Sequence, residues 1–255
     1  MKINVLGCSG AEFPGHNPAG FLLDGKILFD AGTLTHVLDR KAQSRITHIF
    51  VTHAHLDHIR DISFLADNII VERREQRVNI ISIPSVIRTI KKHLLNNSLW
   101  PDFSMIPDYE NAVLRYGTLK EGEELKVNGY RVSAFKVRHS VPAVGYLVED
   151  RNNKRFFYTG DTGPTDSTWK KIGDRKLDCL IIETSFPNRM SEMAAITGHL
   201  TSKLLKREIR KIKHMPDHIY ITHPKPQHLK DIRAELQSLG MKNLRLLKEG
   251  DIISI

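Results

Sequence analysis

The apolar positions of this chain fall mainly into short runs closed by turn residues, with a few longer stretches of helical spacing between them. Short apolar or alternating runs bounded by Gly, Pro, Asn or Asp read as strands. They occur at 2–6, 20–23, 26–30, 46–52, 78–83, 131–137, 144–149, 155–159, 177–183, 219–222 and 251–255. Asp24-Gly25, between the second and third runs, is a two-residue hairpin signal. Apolar spacing near 3.6 predicts helices over 34–42, 59–67, 85–95, 199–213 and 225–239. The stretch 96–116 has neither period and carries Trp100-Pro101 and Ile106-Pro107. It reads as a long loop or lid, and long loops in compact proteins are often functional. Strands interleaved with helices in this order predict an α/β protein whose sheets are covered by helices.

Composition changes this picture little. The 255 residues are 40% hydrophobic and 26% charged, ordinary for a globular protein. The formal net charge is +9, which favours anionic partners such as phosphate-bearing molecules or nucleic acid. The two cysteines, Cys8 and Cys179, rule out a disulfide framework and read as small buried hydrophobes. Residues 1–10 lack the apolar stretch of a secretory signal, and no run approaches the roughly 20 apolar residues of a membrane span. The expectation is a soluble cytoplasmic protein with no membrane partner.

The chemistry starts where the strand at 46–52 stops. His53, His55, Asp57 and His58 place four potential ligands within six residues. Imidazole and carboxylate suit zinc, iron or manganese, and a chain leaving a strand end can fan such side chains around metal ions. Further ligands are needed to complete two coordination spheres. His139, Asp161 and His223 each follow a predicted strand, with Gly or Pro nearby.

The pattern His53-x-His55-x-Asp57-His58, then His139, Asp161 and His223, resembles the metallo-β-lactamase superfamily. That resemblance spans nearly the whole chain and implies an αββα sandwich, one hydrolase domain over 1–255, with two divalent metals at one edge. It also implies roles: His53, His55 and His139 on one ion, Asp57, His58 and His223 on the other, and Asp161 bridging. Asp161, where lactamases often carry Cys, points to the phosphodiesterase-like branches. Leu6-Gly7-Cys8-Ser9-Gly10, Trp100-Pro101, Ile182-Glu183-Thr184-Ser185-Phe186, Gly198-His199-Leu200-Thr201 and Thr222-His223-Pro224-Lys225-Pro226 are similar to class II bacterial 3′,5′-cyclic-nucleotide phosphodiesterases. Arg60-Asp61 departs from that pattern.

Other residues join the candidate site. His199, at a predicted helix start, is placed to bind a phosphate oxygen or protonate a leaving group. Asp30 is a candidate carboxylate for orienting a ligand imidazole from behind. Trp100, Phe103 and Tyr109 are candidate stacking surfaces for a base. The catalytic set is then Asp57, Asp161 and His199, and the expected reaction is hydrolysis of cyclic AMP or cyclic GMP to the 5′-monophosphate, by a chain the resemblance makes a homodimer. Two other readings stay open: a ribonuclease Z-like enzyme acting on tRNA 3′ ends, and a nucleotide-binding module with a vestigial metal site.

Overall fold

The computed structural model describes residues 1–72 and 75–255. One sheet contains β1 (Lys2–Gly7), β2 (Gly20–Leu23), β3 (Ile27–Phe29), β4 (His48–Phe50), β5 (Val78–Ser82), β6 (Leu114–Thr118) and, from the C-terminus, β14 (Ile252–Ser254). The other contains β7 (Glu124–Val127), β8 (Tyr130–Lys136), β9 (Val144–Glu149), β10 (Arg155–Tyr158), β11 (Cys179–Glu183), β12 (His218–Thr222) and β13 (Leu244–Leu246). Strand order is β14-β1-β2-β3-β4-β5-β6 in the first and β13-β12-β11-β10-β9-β8-β7 in the second. Helices α1 (Arg40–Gln43), α2 (Leu56–Val71) and α3 (Pro84–His93) accompany the first sheet. Helices α4 (Asp166–Ile172), α5 (Ser191–Thr197), α6 (Ser202–Ile209) and α7 (Leu229–Ser238) accompany the second. The architecture is the expected αββα sandwich.

The layers follow from the period-two geometry of strands. In the second sheet Tyr146, Val148, Phe156, Tyr158, Cys179 and Ile181 face inward to the first sheet. Their neighbours Leu147, Phe157, Leu180 and Ile182 face outward, onto Trp169 of α4, Leu205 and Ile209 of α6, and Ile232 and Leu236 of α7. Both faces are therefore apolar, so these strands read as continuous runs rather than alternations. Each fully buried large apolar side chain in these layers contributes roughly 1.5–3 kcal/mol.

Directionality places the site. Strands β3 to β6 run parallel, as do β10 to β13, and β8 joins that direction through two antiparallel steps. The C-terminal ends of β4, β8, β10, β11 and β12 thus open onto one edge of the sandwich.

Several sequence expectations shift. Helix 34–42 shrinks to α1, because the Asp61 carboxylate takes the Leu34 and Thr35 N–H groups and Asp39 caps a fresh start through Ala42 N–H. Helix 199–213 starts only at Ser202, since Leu200 N–H is held by Glu183 and Leu200 C=O accepts from Ser185 and Phe186. Helix 225–239 divides into a 3-10 turn, Pro226–His228, and α7. The irregular 96–116 stretch ends earlier, with residues 114–116 already in β6 beside β5. Strands β7 and β13 and helices α4 and α5 were not predicted. The strands are sheet edges carrying charged residues such as Lys126 and Arg245, and the helices are two turns long.

Candidate metal centre

The sequence-predicted ligands converge at the shared strand edge, drawn from both sheets. His53 and His55 lie in the segment after β4, but Asp57 and His58 occupy the first turn of α2 rather than an irregular loop. His139 follows β8, Asp161 follows β10, and His223 follows β12. Gly32 allows the approach: a Cβ there would stand 1.8 Å from Asp57 C=O. His223 adopts φ +63°, a left-handed conformation uncommon outside glycine, and its N–H donates to Cys8 C=O at 2.6 Å.

The donor atoms form two groups sharing one oxygen. In the first, His53 Nε2 and His139 Nε2 stand 3.0 and 3.2 Å from His55 Nδ1, and 3.7 and 4.0 Å from Asp161 Oδ2. In the second, His58 Nε2 and His223 Nε2 stand 3.4 and 3.3 Å from Asp161 Oδ2, and 3.9 and 3.6 Å from Asp57 Oδ2. A tetrahedral ion with bonds near 2.0–2.1 Å sets its ligands about 3.3–3.4 Å apart. Both groups straddle that spacing, and Asp161 Oδ2 belongs to each.

Hydrogen bonds on the outer side of each imidazole assign its tautomer. Asp30 Oδ2 accepts from His58 Nδ1 (2.8 Å), the Thr52 hydroxyl (2.9 Å) and the Tyr158 hydroxyl (2.7 Å). With its proton on Asp30, the Thr52 oxygen accepts from His53 Nδ1 at 3.0 Å. His139 Nδ1 donates to Gly198 C=O at 3.0 Å. The Ser185 hydroxyl donates to Glu183 Oε2 (2.8 Å) and accepts from His223 Nδ1 (2.9 Å). With Nδ1 so engaged, the Nε2 atoms of His53, His58, His139 and His223 all point inward. The Nε2 atoms of His58 and His223 are buried without a hydrogen-bond partner. Imidazole nitrogens and carboxylate oxygens converging at ligand spacing, two of them buried and unpartnered, fit first-row divalent metal ions.

Electrostatics follow the same geometry. Burial alone would push the Asp161 carboxyl up, but His223 and His58 hold it well below the usual carboxylate range. Burial and the neighbouring imidazoles, His58 foremost, drive His53 well below its ordinary value. Burial would lower His58 as well, but Asp161 and Asp30 overcome it and hold that imidazole well above. Asp57, with its side chain one-third exposed, is also held low, by His223 and His58 against the effect of burial.

His199 lies beside these groups, in ring contact with His139 and His223, and within ligand reach of Asp161 and His223. Its Nδ1 donates to Glu183 Oε1 at 2.6 Å. Burial would lower its pKa, but Glu183 raises it above the ordinary histidine value. Glu183, Ser185, Thr52 and Tyr158 were not singled out by role in the sequence. The signal that could have found Glu183 is a carboxylate closing the apolar strand 177–183.

Two of the three loop aromatics are not open stacking surfaces. Trp100 packs edge-on against Phe64 of α2, with centroids 5.6 Å apart, and Phe103 is buried beneath the loop. Only Tyr109 is well exposed.

Residues 26–223 match the family model described as "Beta-lactamase superfamily domain". The chain therefore belongs to the metallo-β-lactamase superfamily, a class of metallo-hydrolases. It is 26% identical over 259 residues to ribonuclease Z of Archaeoglobus fulgidus, covering 80% of this chain and 81% of that one. It is likewise 26% identical over 244 residues to a probable 3′,5′-cyclic-nucleotide phosphodiesterase of Yersinia pestis, covering 81% of this chain and 67% of that one. The crystal structure of unliganded yeast PDE1 superposes with a TM-score of 0.83 at 18% identity, covering 100% of this chain and 99% of that one.

Proposed function

We propose that this chain hydrolyses phosphodiesters, with 3′,5′-cyclic nucleotides (cyclic AMP, cyclic GMP) as substrates and 5′-monophosphates as products. The observation that carries the reading is the His199–Glu183 pair set against the converging ligands. An alkoxide is a poor leaving group and needs a proton. A histidine whose Nδ1 donates to a buried carboxylate, and whose pKa that carboxylate raises above the ordinary value, holds its second proton more firmly and is placed to give it. Two first-row divalent ions in the paired ligand groups would supply Lewis-acid charge and an activated water.

The chain's own residues do the rest. Asp57 stays ionised, so it only accepts hydrogen bonds, and it orients the attacking water at the mouth of the site. The water gives up one proton to bulk solvent, and its oxygen bonds to phosphorus as the bond from phosphorus to the 3′ oxygen breaks. His199 passes its Nε2 proton to that oxygen, and Glu183 stabilises the imidazolium before transfer. In a cyclic nucleotide the leaving oxygen stays tethered to the product. The Trp100-Pro101 and Gly198-His199-Leu200-Thr201 motifs and the likeness to the Yersinia pestis relative support this substrate.

A second reading, cleavage of RNA 3′ ends, is favoured by the likeness to the Archaeoglobus fulgidus ribonuclease Z and the +9 charge. Parallel assays of cyclic AMP, cyclic GMP and a precursor tRNA, with defined metals added, separate the two. Turnover of the tRNA alone would overturn the cyclic-nucleotide reading.

A further inference from the structure

Helix α6 begins three residues after His199 and carries Lys203, Lys206 and Arg207, with Arg210 as its C-cap. At 3.6 residues per turn these four cations fall within an arc of about 100°. Lys203, Arg207 and Arg210 are exposed and Lys206 is half-buried. The opposite face is committed: Leu205 and Ile209 sit in the core, and Glu208 accepts from Trp169 Nε1 and Thr165 N–H. Among the described residues none of the four cations forms an ion pair, whereas the neighbouring Lys211 and Lys213 pair with Asp166 and Asp174. Cations at i, i+3 and i, i+4 repel one another along a helix. This face therefore holds four mutually repelling charges, and no acid among the described residues pairs with them.

Further cations lie on the neighbouring helix. Helix α7 packs beside α6 with exposed Lys230 and Arg233. Between α7 and β13 lies a groove of about 590 Å³ whose lining includes Arg233, Lys242, Arg245 and Lys248. Of these, Arg245 pairs with Asp251.

We propose that the basic face of α6, together with the cations of α7, is a docking surface for the phosphate backbone of a nucleic-acid strand. From Lys203 to Arg210 the helix advances about 10 Å, and a strand in a duplex presents a phosphate every 3.4 Å or so along its axis, so about three phosphates fit against the stripe. An anionic membrane is a poorer fit. A helix lying on lipid exposes an apolar face to it, and that of α6 is buried. The choice of nucleic acid over other polyanions rests on the phosphodiesterase reading of the adjoining site.

The test is fluorescence anisotropy of the intact protein with a labelled 20-nucleotide RNA, single-stranded or hairpin, 2′-O-methylated to block cleavage, across a salt series. The wild-type protein is expected to bind with a steep salt dependence. The triple variant K203Q/R207Q/R210Q is expected to bind about tenfold or more weakly, with its log–log salt slope shallower by about 2–3. R88Q/K92Q/K120Q, which removes the same charge beside the other sheet, is expected to bind as the wild type does. Equal weakening by both triple variants would overturn the proposal by reducing the effect to net charge. So would absence of RNA binding, or α6-dependent sedimentation with anionic vesicles in its place. Hydrolysis of cyclic nucleotides is read separately on the same proteins, so failure of RNA binding leaves the catalytic reading standing, and the reverse.

Discussion

At the scale of single residues, the site is governed by groups behind the ligands. Glu183 raises the pKa of His199. Removing that carboxylate therefore lowers the pKa, and His199 loses its proton at a lower pH. Glu183→Gln should move the alkaline limb of the kcat–pH profile downward, and an unmoved limb would remove His199 from the role of acid. His199→Ala should lower kcat for a cyclic nucleotide by about 10²–10⁴-fold. The loss should be far smaller with bis(p-nitrophenyl) phosphate, whose leaving group needs no proton. Asp30 gathers three donors on one oxygen and orients His58, so Asp30→Ala should weaken metal binding by about 10–100-fold, read by chelator competition. Much at this scale was legible. His, Asp and His at successive strand ends are visible as residue types with a spacing. The outer network was not, because Glu183 reaches His199 across 16 positions and Tyr158 reaches Asp30 across 128. Nothing local in the chain marks such pairings.

At the scale of elements, the apolar pattern located the interior strands because both of their faces are buried. It overlooked β7 and β13, edge strands in which charged residues break the run. It misplaced helix starts wherever a side chain had claimed the backbone first, as Asp61 does at Leu34 and Glu183 at Leu200. Of the three loop aromatics, Trp100 and Phe103 pack against the body, and Tyr109 alone keeps an exposed ring. The outward face of the second sheet anchors the strand ends that carry Asp161 and His223. Phe157 is wholly buried there and meets Trp169 and Phe135 edge-on. Phe157→Ala should cost about 3–5 kcal/mol of unfolding free energy in urea titrations. A loss under about 1 kcal/mol would show that this layer does not hold the edge together.

At the scale of the whole molecule, two sheets and the start of α2 bring seven candidate ligands to one edge, and metal binding by them would be coupled to protons. The raised pKa of His58 means that a metal ion must displace its proton. Affinity should therefore rise with pH, by up to about tenfold per unit for each proton released, and level off once the pH passes that pKa. A pH-independent affinity would mean that binding releases no proton, against the raised pKa of His58. The central claim, a paired metal centre that cleaves phosphodiesters, is tested most directly by titrating metal-stripped protein with manganese or zinc while following cyclic AMP hydrolysis. The account predicts 5′-AMP as the product, with activity rising to a plateau at two ions per chain. A plateau at one ion, or two bound ions with no phosphodiester turned over, would contradict it.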